Sequence, residues 1–458
     1  MKKSKLVLSL GILLAVVLLV AACGNGNNDS APAVPDTPAT DAPATDTPAV
    51  DAPEADAPAD TPAADADGFD WRAFDGSDIT IGIWWGNETE EASLRAVIDS
   101  FEALTGIAVS ARTYEDYQTQ LLTELAGGMA PDVFYVEAML APTFIEQGVL
   151  ANLNPFIAET PNFNQADFYT PAIDAFMANG EVFGLPKDLS TLGLLYNIEL
   201  LEYAGFTSDD IPDTMTELAE FLRQLQPNLP AGVIAGVTSP ELARHMFVLG
   251  TILDANGTVQ LAGPGQLDYL ETHVELFQDG IIQRAGDLGA GWSGDAFGLE
   301  SVALMIEGNW VLGHLNNNFP DVNFGTRELP TMNGQNGSMM FTVAWGVNSA
   351  SDNLGAAWLF TYYLTSTQGM ADWAGPVGVI PSRASSSDLL NLGGNPILAP
   401  FVAAAAYATP WQNGIELPII MHHYNDLFPA VLAGDMSLQE AMELATERSN
   451  NEIELHLR

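Results

Sequence analysis

Ile79-Thr-Ile-Gly-Ile-Trp84 opens the stretch of sequence that determines the predicted fold, because its apolar run predicts a buried strand. Residues 107–112 predict a second strand, and Ala130-Pro-Asp-Val-Phe-Tyr-Val136 predicts a third, entered through a proline. A helix covers about residues 116–125, and an earlier one is indicated by apolar residues at helical spacing: Leu94, Val97, Ile98, Phe101 and Leu104. This β-α-β-α-β order predicts an α/β fold with a parallel sheet and helices on both faces.

Further along the chain, strand and helix signals continue to alternate. The patterns Thr214-Met-Thr-Glu217 and Ser437-Leu-Gln-Glu440 are capping boxes, which predict two helix starts. Apolar spacing predicts a helix through residues 267–277, and residues 341–348 and 353–364 predict a late strand and a helix.

The amino terminus has the pattern of a secretory signal over residues 1–22. Lys2, Lys3 and Lys5 precede an uncharged run over residues 6–22, which ends in small residues immediately before Cys23. A plain membrane anchor is the alternative, since such a run is close to the lower limit of about 17 residues for a span. That alternative leaves Cys23 without a role. Cys23 is the only cysteine of the chain, so no intrachain disulfide is expected.

Residues 23–67 predict a disordered stalk. They consist almost wholly of Ala, Pro, Asp and Thr, and they contain no aromatic and no basic residue. Such a segment has too little apolar surface to fold, and its like charges repel each other. In an extended polyproline conformation it reaches on the order of 100 Å, which suits a domain working beyond a thick, Gram-positive cell wall.

The charge balance excludes two classes of partner. The chain has 59 acidic and 14 basic residues, for a net charge of −45. Nucleic acid is excluded because binding phosphates requires clustered Lys and Arg, and docking on anionic lipid head groups is disfavoured for the same reason.

Six motifs in series carry a resemblance to a known family. They are Trp84-Trp-Gly86, Ala130-Pro-Asp-Val-Phe-Tyr-Val136, Phe183-Gly-Leu-Pro-Lys-Asp-Leu-Ser-Thr-Leu-Gly-Leu-Leu-Tyr-Asn197, Met305-Ile-Glu-Gly-Asn-Trp310, Thr342-Val-Ala-Trp-Gly-Val-Asn348 and Val377-Gly-Val-Ile-Pro-Ser-Arg383. In this order and spacing the chain resembles the family 1 extracellular solute-binding proteins of ABC importers, which are related to maltose-binding protein. The segment ending in Cys23 likewise resembles a bacterial lipobox, which implies cleavage before Cys23 and its acylation.

The resemblance implies a type II periplasmic-binding-protein-like fold with two α/β lobes and a ligand cleft between them. We expect an N-lobe of residues 68–190 and 327–376 and a C-lobe of residues 191–326 and 377–458. Hinge crossings are expected near residues 190–194, 325–331 and 376–380. The implied function is capture of a mono- or oligosaccharide by a monomeric lipoprotein on the outer face of the cell membrane, for delivery to the transmembrane permease subunits. No cofactor, metal or catalytic residue is expected.

Sugar chemistry directs the choice of candidate site residues. A pyranose has apolar C–H faces and a rim of hydroxyls, so its binder needs aromatic plates and charged or amide hydrogen-bonding groups. Ligands of α/β sheets bind beyond the carboxyl ends of the strands. This rule favours the residues that follow the first and third strands, Trp85, Asn87, Glu88 and Glu137, with Trp84 assigned to the core. Asn87 and Glu88 serve equally well as the start of the next helix.

The resemblance supplies further candidates, a polar site residue at Asp188 and aromatic plates at Trp310 and Trp345. Arg383 is a candidate for a ligand contact, with a surface salt bridge as the alternative. Asp132 is expected to be a turn carboxylate and Trp358 a core residue. Lys187 is expected to be a solvated side chain, with pairing to a cleft carboxylate as the alternative. Weaker candidates in the C-lobe are Tyr407, Trp411 and Tyr424.

Three other functions compete with sugar binding. A glycosidase needs two facing carboxylates, but in so acidic a chain the abundance of carboxylates is not diagnostic, and motifs of serine hydrolases, zinc proteases and phosphate-binding loops are missing from the sequence. His422 and His423 are sequence neighbours and form a poor metal pair, which disfavours metal capture. A binder of a cation such as a polyamine, built on the same two lobes, remains open as the closer alternative.

Overall fold

The computed structural model describes residues 69–85, 88–250, 252–254 and 256–456. The predicted signal segment, the lipidation site at Cys23 and the stalk lie outside these residues. The strands, in chain order, are β1 (Asp78–Ile83), β2 (Ala108–Thr113), β3 (Val133–Glu137), β4 (Met177–Ala178), β5 (Glu181–Val182), β6 (Gly184–Asn197), β7 (Ile234–Thr238), β8 (Ile282–Arg284), β9 (Val302–Gly308), β10 (Phe324–Arg327), β11 (Met339–Val347), β12 (Ile380–Pro381) and β13 (Thr409–Pro410).

The helices alternate with these strands along most of the chain. They are α1 (Glu88–Thr105), α2 (Tyr117–Gly127), α3 (Ala141–Glu146), α4 (Asn154–Glu159), α5 (Thr170–Asp174), α6 (Ile198–Tyr203), α7 (Met215–Leu225), α8 (Leu242–Leu249), α9 (Pro264–Gln278), α10 (Ser293–Gly298), α11 (Trp310–Asn318), α12 (Leu354–Leu364), α13 (Thr367–Val377), α14 (Ala384–Leu389), α15 (Ala399–Ala404), α16 (Leu417–Leu432) and α17 (Leu438–His456). Among these described helices, none has both the length and the apolar composition required to cross a bilayer.

The main sheet has the strand order β2-β1-β3-β11-β6-β9-β7-β8. At one end β1 pairs in parallel with β2 and β3, and at the other β7 pairs in parallel with β8 and β9. The central strands β11 and β6 join these two parallel groups through antiparallel pairs. The fold is therefore α/β with two lobes, as predicted.

Strand β6 is shared by both halves of the sheet. Its first part pairs with β11 up to Thr191, and its second part pairs with β9 from Leu192 onward. The change of partner falls inside the segment where the sequence predicts the first hinge crossing. The residue limits of the two lobes remain a prediction.

Two sets of helices cover the two ends of the sheet. Helices α12 and α13 pack on α1, beside the β1 end of the sheet. Helices α16 and α17 pack on each other and on α9, and they share one hydrophobic core with α7 and β7. The C-terminal helices therefore pack in the same core as elements from the middle of the chain.

The predicted elements match the observed ones closely, and both predicted capping boxes lie at helix starts. The Thr214 hydroxyl accepts the backbone N–H of Glu217 at 3.2 Å and donates to its carboxylate at 2.6 Å, immediately before α7. The backbone N–H of Glu440 donates to the Ser437 hydroxyl at 3.3 Å at the start of α17. These bonds satisfy amides that the helix itself leaves without acceptors.

Candidate functional site

A cleft of about 1330 Å³ lies where β3, β6, β11 and the residue that follows β1 meet α11. Its volume exceeds the roughly 300–1,000 Å³ of ordinary small-molecule sites. The lining combines indoles, carboxylates and amides, among them Trp84, Glu90, Glu137, Lys187, Asp188, Asn309, Trp310, Asn316, Asn317, Asn323, Phe341, Trp373, Asn395 and Trp411.

Of the two tryptophans that follow β1, Trp84 lines the cleft and Trp85 does not. The Trp84 indole packs edge-on against Tyr117 and Tyr135, with ring centroids 4.6 and 4.7 Å apart, and lines the cleft wall. Trp85 instead lies under Arg95 of α1, whose guanidinium carbon is 5.6 Å from its ring centroid. The assignment of Trp84 to the core and Trp85 to the cleft is therefore reversed, because successive side chains on extended backbone point in opposite directions.

Two predicted carboxylates line the cleft. Glu137, at the end of β3, accepts a hydrogen bond of 2.7 Å from the side-chain amide of Gln118 on α2. Asp188, on β6, accepts one of 2.7 Å from the Lys187 ammonium. Each carboxylate keeps further lone pairs for a ligand, since an ionised carboxylate accepts at about four positions.

Trp310 begins α11 and presents the most exposed indole of the cleft lining, at 37%. The guanidinium carbon of Arg244 lies 5.3 Å from its ring centroid, and Phe341 meets it edge-on at 5.3 Å. A side chain at Gly308 would clash with the indole, because an ideal Cβ there comes within 2.2 Å of the ring. The glycine at position 308 is therefore required for the observed position of the indole.

Trp345 does not reach the cleft, contrary to the prediction. It is only 2% exposed and packs between Tyr135 and Phe360 with ring centroids 4.6 and 5.3 Å away. On β11 the nearby residue Val343 lines the cleft. Trp345 has the same alternation parity as Val343, and β11 pairs with β3 without a register shift, but the rings of Tyr135 and Phe360 cover the indole. The indole is consequently a core side chain.

Arg383 is also a structural residue and not a cleft residue. It is 4% exposed, its guanidinium donates to Asp167 at 3.0 Å, and its Cζ lies 4.0 Å from the ring centroid of Phe168. Burial lowers the pKa of Arg383, while the Asp167 carboxylate opposes that shift. The guanidinium is committed to a buried ion pair, so the prediction of a ligand contact at Arg383 is wrong.

Of the other sequence candidates, one lines the cleft, several have structural roles, and one lies outside the described residues. Asn87 lies outside the described residues, and Glu88 is the first residue of α1. Asp132 accepts bonds from the Thr80 backbone and from Ser351, and Trp358 is a 4%-exposed core side chain, as expected for both. Of the weaker candidates Trp411 lines the cleft, Tyr424 is fully buried, and Tyr407 hydrogen-bonds Glu328.

Several cleft residues were not predicted from the sequence. Lys187 was expected in solvent, with pairing to a cleft carboxylate as the alternative. It follows the alternative: it is 5% exposed, it pairs with Asp188, and its Nζ lies 4.0 Å from the ring centroid of Trp373. Trp373 was unassigned, and the amides of Asn309 and Asn316 were not considered. Of these residues, only Lys187 could have been singled out from the sequence, because no other lysine follows Lys5 in the chain. Within the described part of the chain, no group of three or more His, Asp or Glu side chains is placed to hold a metal ion.

The tyrosines under the cleft remain protonated. Burial, assisted by the negative charges of Glu90 and Asp188, raises the pKa of Tyr135 well above its ordinary value. Burial likewise raises the pKa of Tyr117, whose hydroxyl donates to the backbone carbonyl of Tyr135 at 2.7 Å. The phenol side chains of Tyr117 and Tyr135, which pack against Trp84, are therefore uncharged.

Comparison with known proteins agrees with this architecture. The galactooligosaccharide-binding protein of Bacillus subtilis (strain 168) is 20% identical over 400 residues, covering 82% of this chain and 90% of that protein. The sugar-binding protein MalE of Xanthomonas citri superposes with a TM-score of 0.74 at 20% identity, over 82% of this chain and 98% of the other. The cyclic alpha-maltosyl-1,6-maltose binding protein of Arthrobacter globiformis gives a TM-score of 0.70 at 20% identity, over 82% and 98%.

These structural matches establish the shared two-lobed fold. A family model described as bacterial extracellular solute-binding protein matches residues 96–405, which is more than half of the chain. The chain thus belongs to the bacterial extracellular solute-binding proteins.

Proposed function

We propose that the protein binds a neutral saccharide in the cleft and releases it chemically unchanged. The observation that carries this proposal is the meeting of the three partly exposed indoles of the lining, Trp84, Trp310 and Trp411, with the carboxylates of Glu137 and Asp188 in one cleft. Indole faces cover the apolar C–H surface of a pyranose, and carboxylates bind its hydroxyls through charge-assisted hydrogen bonds.

The charges of the lining favour a neutral ligand over an anion. Glu90, Glu137 and Asp188 line the cleft, whereas Lys187 is the only Lys or Arg among the described lining residues. That ammonium is already paired with Asp188 at 2.7 Å. An anionic ligand would therefore meet uncompensated negative charge, which is strongly unfavourable in a site removed from water.

The amide wall supports the same ligand class. Asn316 and Asn317 of α11 and Asn323 and Asn395 from neighbouring loops line the cleft. Each amide offers both donors and acceptors, which matches hydroxyls that also donate and accept. The volume of about 1330 Å³ is large enough for more than one sugar ring and favours an oligosaccharide. The names of the sugar-binding relatives agree with this class.

We further propose that the protein acts outside the cell as a lipid-anchored receptor of an ABC importer. Membership of an extracellular solute-binding family supports an exterior location, and the small residues before Cys23 support lipid attachment there. Because a ligand shifts a conformational equilibrium only by binding one state better, a saccharide that touches both lobes favours the closed form. The permease would then recognise the closed pair of lobes.

Isothermal titration calorimetry tests the proposed ligand class. The panel contains gluco-, galacto- and manno-oligosaccharides, with putrescine, spermidine and a sugar phosphate as competitors. Saturable heat with at least one neutral oligosaccharide, and recovery of that sugar unmodified by chromatography, is the expected result. Heat with polyamines alone would establish the cation binder instead, and a shortened sugar after incubation would establish a hydrolase.

A further inference from the structure

Lys187 is a buried ammonium at the base of the cleft. Its residue is 5% exposed, and its Nζ lies 2.7 Å from Oδ2 of Asp188. Lysine is almost never buried to this extent unless it is paired. It is also the only lysine after Lys5, so this buried position holds a residue type that the remainder of the domain does not contain.

Two aromatic rings complete the surroundings of the ammonium. Nζ lies 4.0 Å from the ring centroid of Trp373 and 4.7 Å from that of Tyr135, which are 5% and 1% exposed. Aromatic faces attract cations electrostatically, and proteins use such faces to recognise alkylammonium ligands. Trp373, Tyr135 and Asp188 therefore form what we call the ammonium box.

A bulge in strand β6 allows a residue of the chain itself to occupy the ammonium box. On β11, Val343 lies opposite Asp188 while the next residue, Ala344, lies opposite Pro186, so Lys187 is an extra residue in β6. Adjacent side chains of a regular strand point to opposite faces. The bulge removes that restriction, since bulges re-aim side chains beside functional sites, and Lys187 and Asp188 both line the cleft.

We propose that Lys187 determines ligand specificity by occupying, as a tethered cation, a site that would otherwise bind a free alkylammonium. The filled box excludes amines and leaves the cleft to neutral ligands. This inference rests on the proposed function for its second half, the preference for saccharides. Its first half, a cation site filled by the chain itself, stands on the geometry of the box alone.

The Lys187→Ala variant empties the box while leaving its walls in place. The atoms it removes, Cγ to Nζ, are those of n-propylammonium, which is therefore the probe. We expect the variant to bind n-propylammonium saturably at millimolar concentration, whereas the wild-type protein does not. Saccharide affinity of the variant falls about tenfold because Asp188 loses its partner, and added n-propylammonium restores it.

Lys187→Met is the matched control, because it refills the space without a charge. It should bind no amine, and amine should not alter its saccharide affinity. Equal amine binding by the wild-type protein and Lys187→Ala, or none by Lys187→Ala, overturns the inference. Amine binding is measured without sugar, so a wild-type protein that binds no saccharide would refute the proposed function and leave the ammonium box standing.

If the Lys187→Ala variant does not fold, a measurement on the wild-type protein tests the inference instead. In the processed protein, which begins at Cys23, selective labelling at lysine reports on Lys187 alone. Ring currents of Trp373 and Tyr135 should move its ε-methylene proton signals upfield of those of lysine in an unstructured peptide. Unshifted signals would show that the ammonium does not occupy the box and would overturn the inference.

Discussion

Arg244 connects the indole of Trp310 to a buried carboxylate: its guanidinium carbon is 5.3 Å from the ring centroid, and its Nη1 is 2.6 Å from Oε1 of Glu307. Glu307 is 1% exposed and belongs to β9, the strand that precedes α11, which begins at Trp310. Burial raises the pKa of Glu307, and the neighbouring Arg244 charge opposes the shift. The Arg244 guanidinium therefore contacts both the buried carboxylate of Glu307 and the exposed indole of Trp310.

Replacing Arg244 by Met should loosen the Trp310 indole. The variant loses a cation–π contact of about 0.5–1 kcal/mol, so we expect saccharide affinity to fall roughly two- to fivefold. It also leaves the Glu307 carboxylate buried without its partner, which should cost about 3 kcal/mol of folding stability. Calorimetric titration and denaturant unfolding measure the two effects separately.

The double variant Arg244→Met/Glu307→Gln separates the indole contact from the buried charge. It removes both members of the ion pair, so stability should recover by about 1–3 kcal/mol relative to Arg244→Met, while the loss of affinity persists. Trp310→Ala is the reference for complete loss of the indole, at about 1–3 kcal/mol of binding free energy. Full recovery of affinity in the double variant would show that Arg244 acts only through stability.

Gly308→Ala should displace the Trp310 indole without unfolding the protein. The added Cβ would lie 2.2 Å from the ring, so the ring has to rotate away from its observed position. We expect saccharide affinity to fall about tenfold, which corresponds to about 1.4 kcal/mol, together with a changed tryptophan fluorescence spectrum. Gly286→Ala is the control, since nothing lies within 4 Å of its added Cβ, and it should bind as the wild-type protein does.

Trp84→Ala and Trp85→Ala should differ in their effect on binding. Trp84 lines the cleft, so its truncation should weaken saccharide binding by about 1–3 kcal/mol. Trp85 lies under Arg95 and not in the described cleft lining, so its truncation should leave affinity close to the wild-type value. The reverse pattern, measured by the same titration, would restore the assignment made from sequence.

Much of the fold could be predicted from the sequence, because its signals are local. The first three strands were predicted within a few residues of β1, β2 and β3, and the capping boxes marked the starts of α7 and α17. Periodicity and capping depend on residues three or four apart. The resemblance supplied the two-lobed arrangement, which depends on strand pairings across more than a hundred residues, such as that of Leu192 with Gly308.

The site was less predictable, since membership of the cleft depends on the side of a strand that each residue takes. Glu137, Asp188 and Trp310 were placed correctly in the cleft lining, although ligand contact by each remains a prediction. Trp345 could not be placed, because its ring is covered by Tyr135 of β3 and Phe360 of α12, contacts that strand periodicity does not reveal. Arg383 could not be assigned either, because its partner Asp167 lies 216 residues away.

The ion pair of Asp167 and Arg383 provides the last prediction, concerning stability. Asp167 accepts hydrogen bonds from the Arg383 guanidinium at 3.0 Å and from the Ser385 hydroxyl at 2.6 Å. Asp167→Asn leaves the buried guanidinium without a counter-charge, so it should lower the free energy of unfolding by about 3 kcal/mol at pH 7. Saccharide affinity should not change, since neither residue lines the cleft.

The pH dependence of this loss identifies its cause. Burial tends to raise the pKa of Asp167, but the bonds from Ser385 and Arg383 outweigh burial and hold that pKa below its ordinary value of 3.8. A lowered folded-state pKa contributes stability that is complete above the unfolded-state value and is lost as pH falls through the folded-state value. The unfolding free energies of the wild-type protein and Asp167→Asn should therefore converge as the pH falls below about 4, whereas the exposed control Asp435→Asn should match the wild-type protein throughout. A constant gap down to about pH 2, well below the ordinary carboxyl pKa, would mean that Asp167 stabilises the fold by its shape and not by its charge.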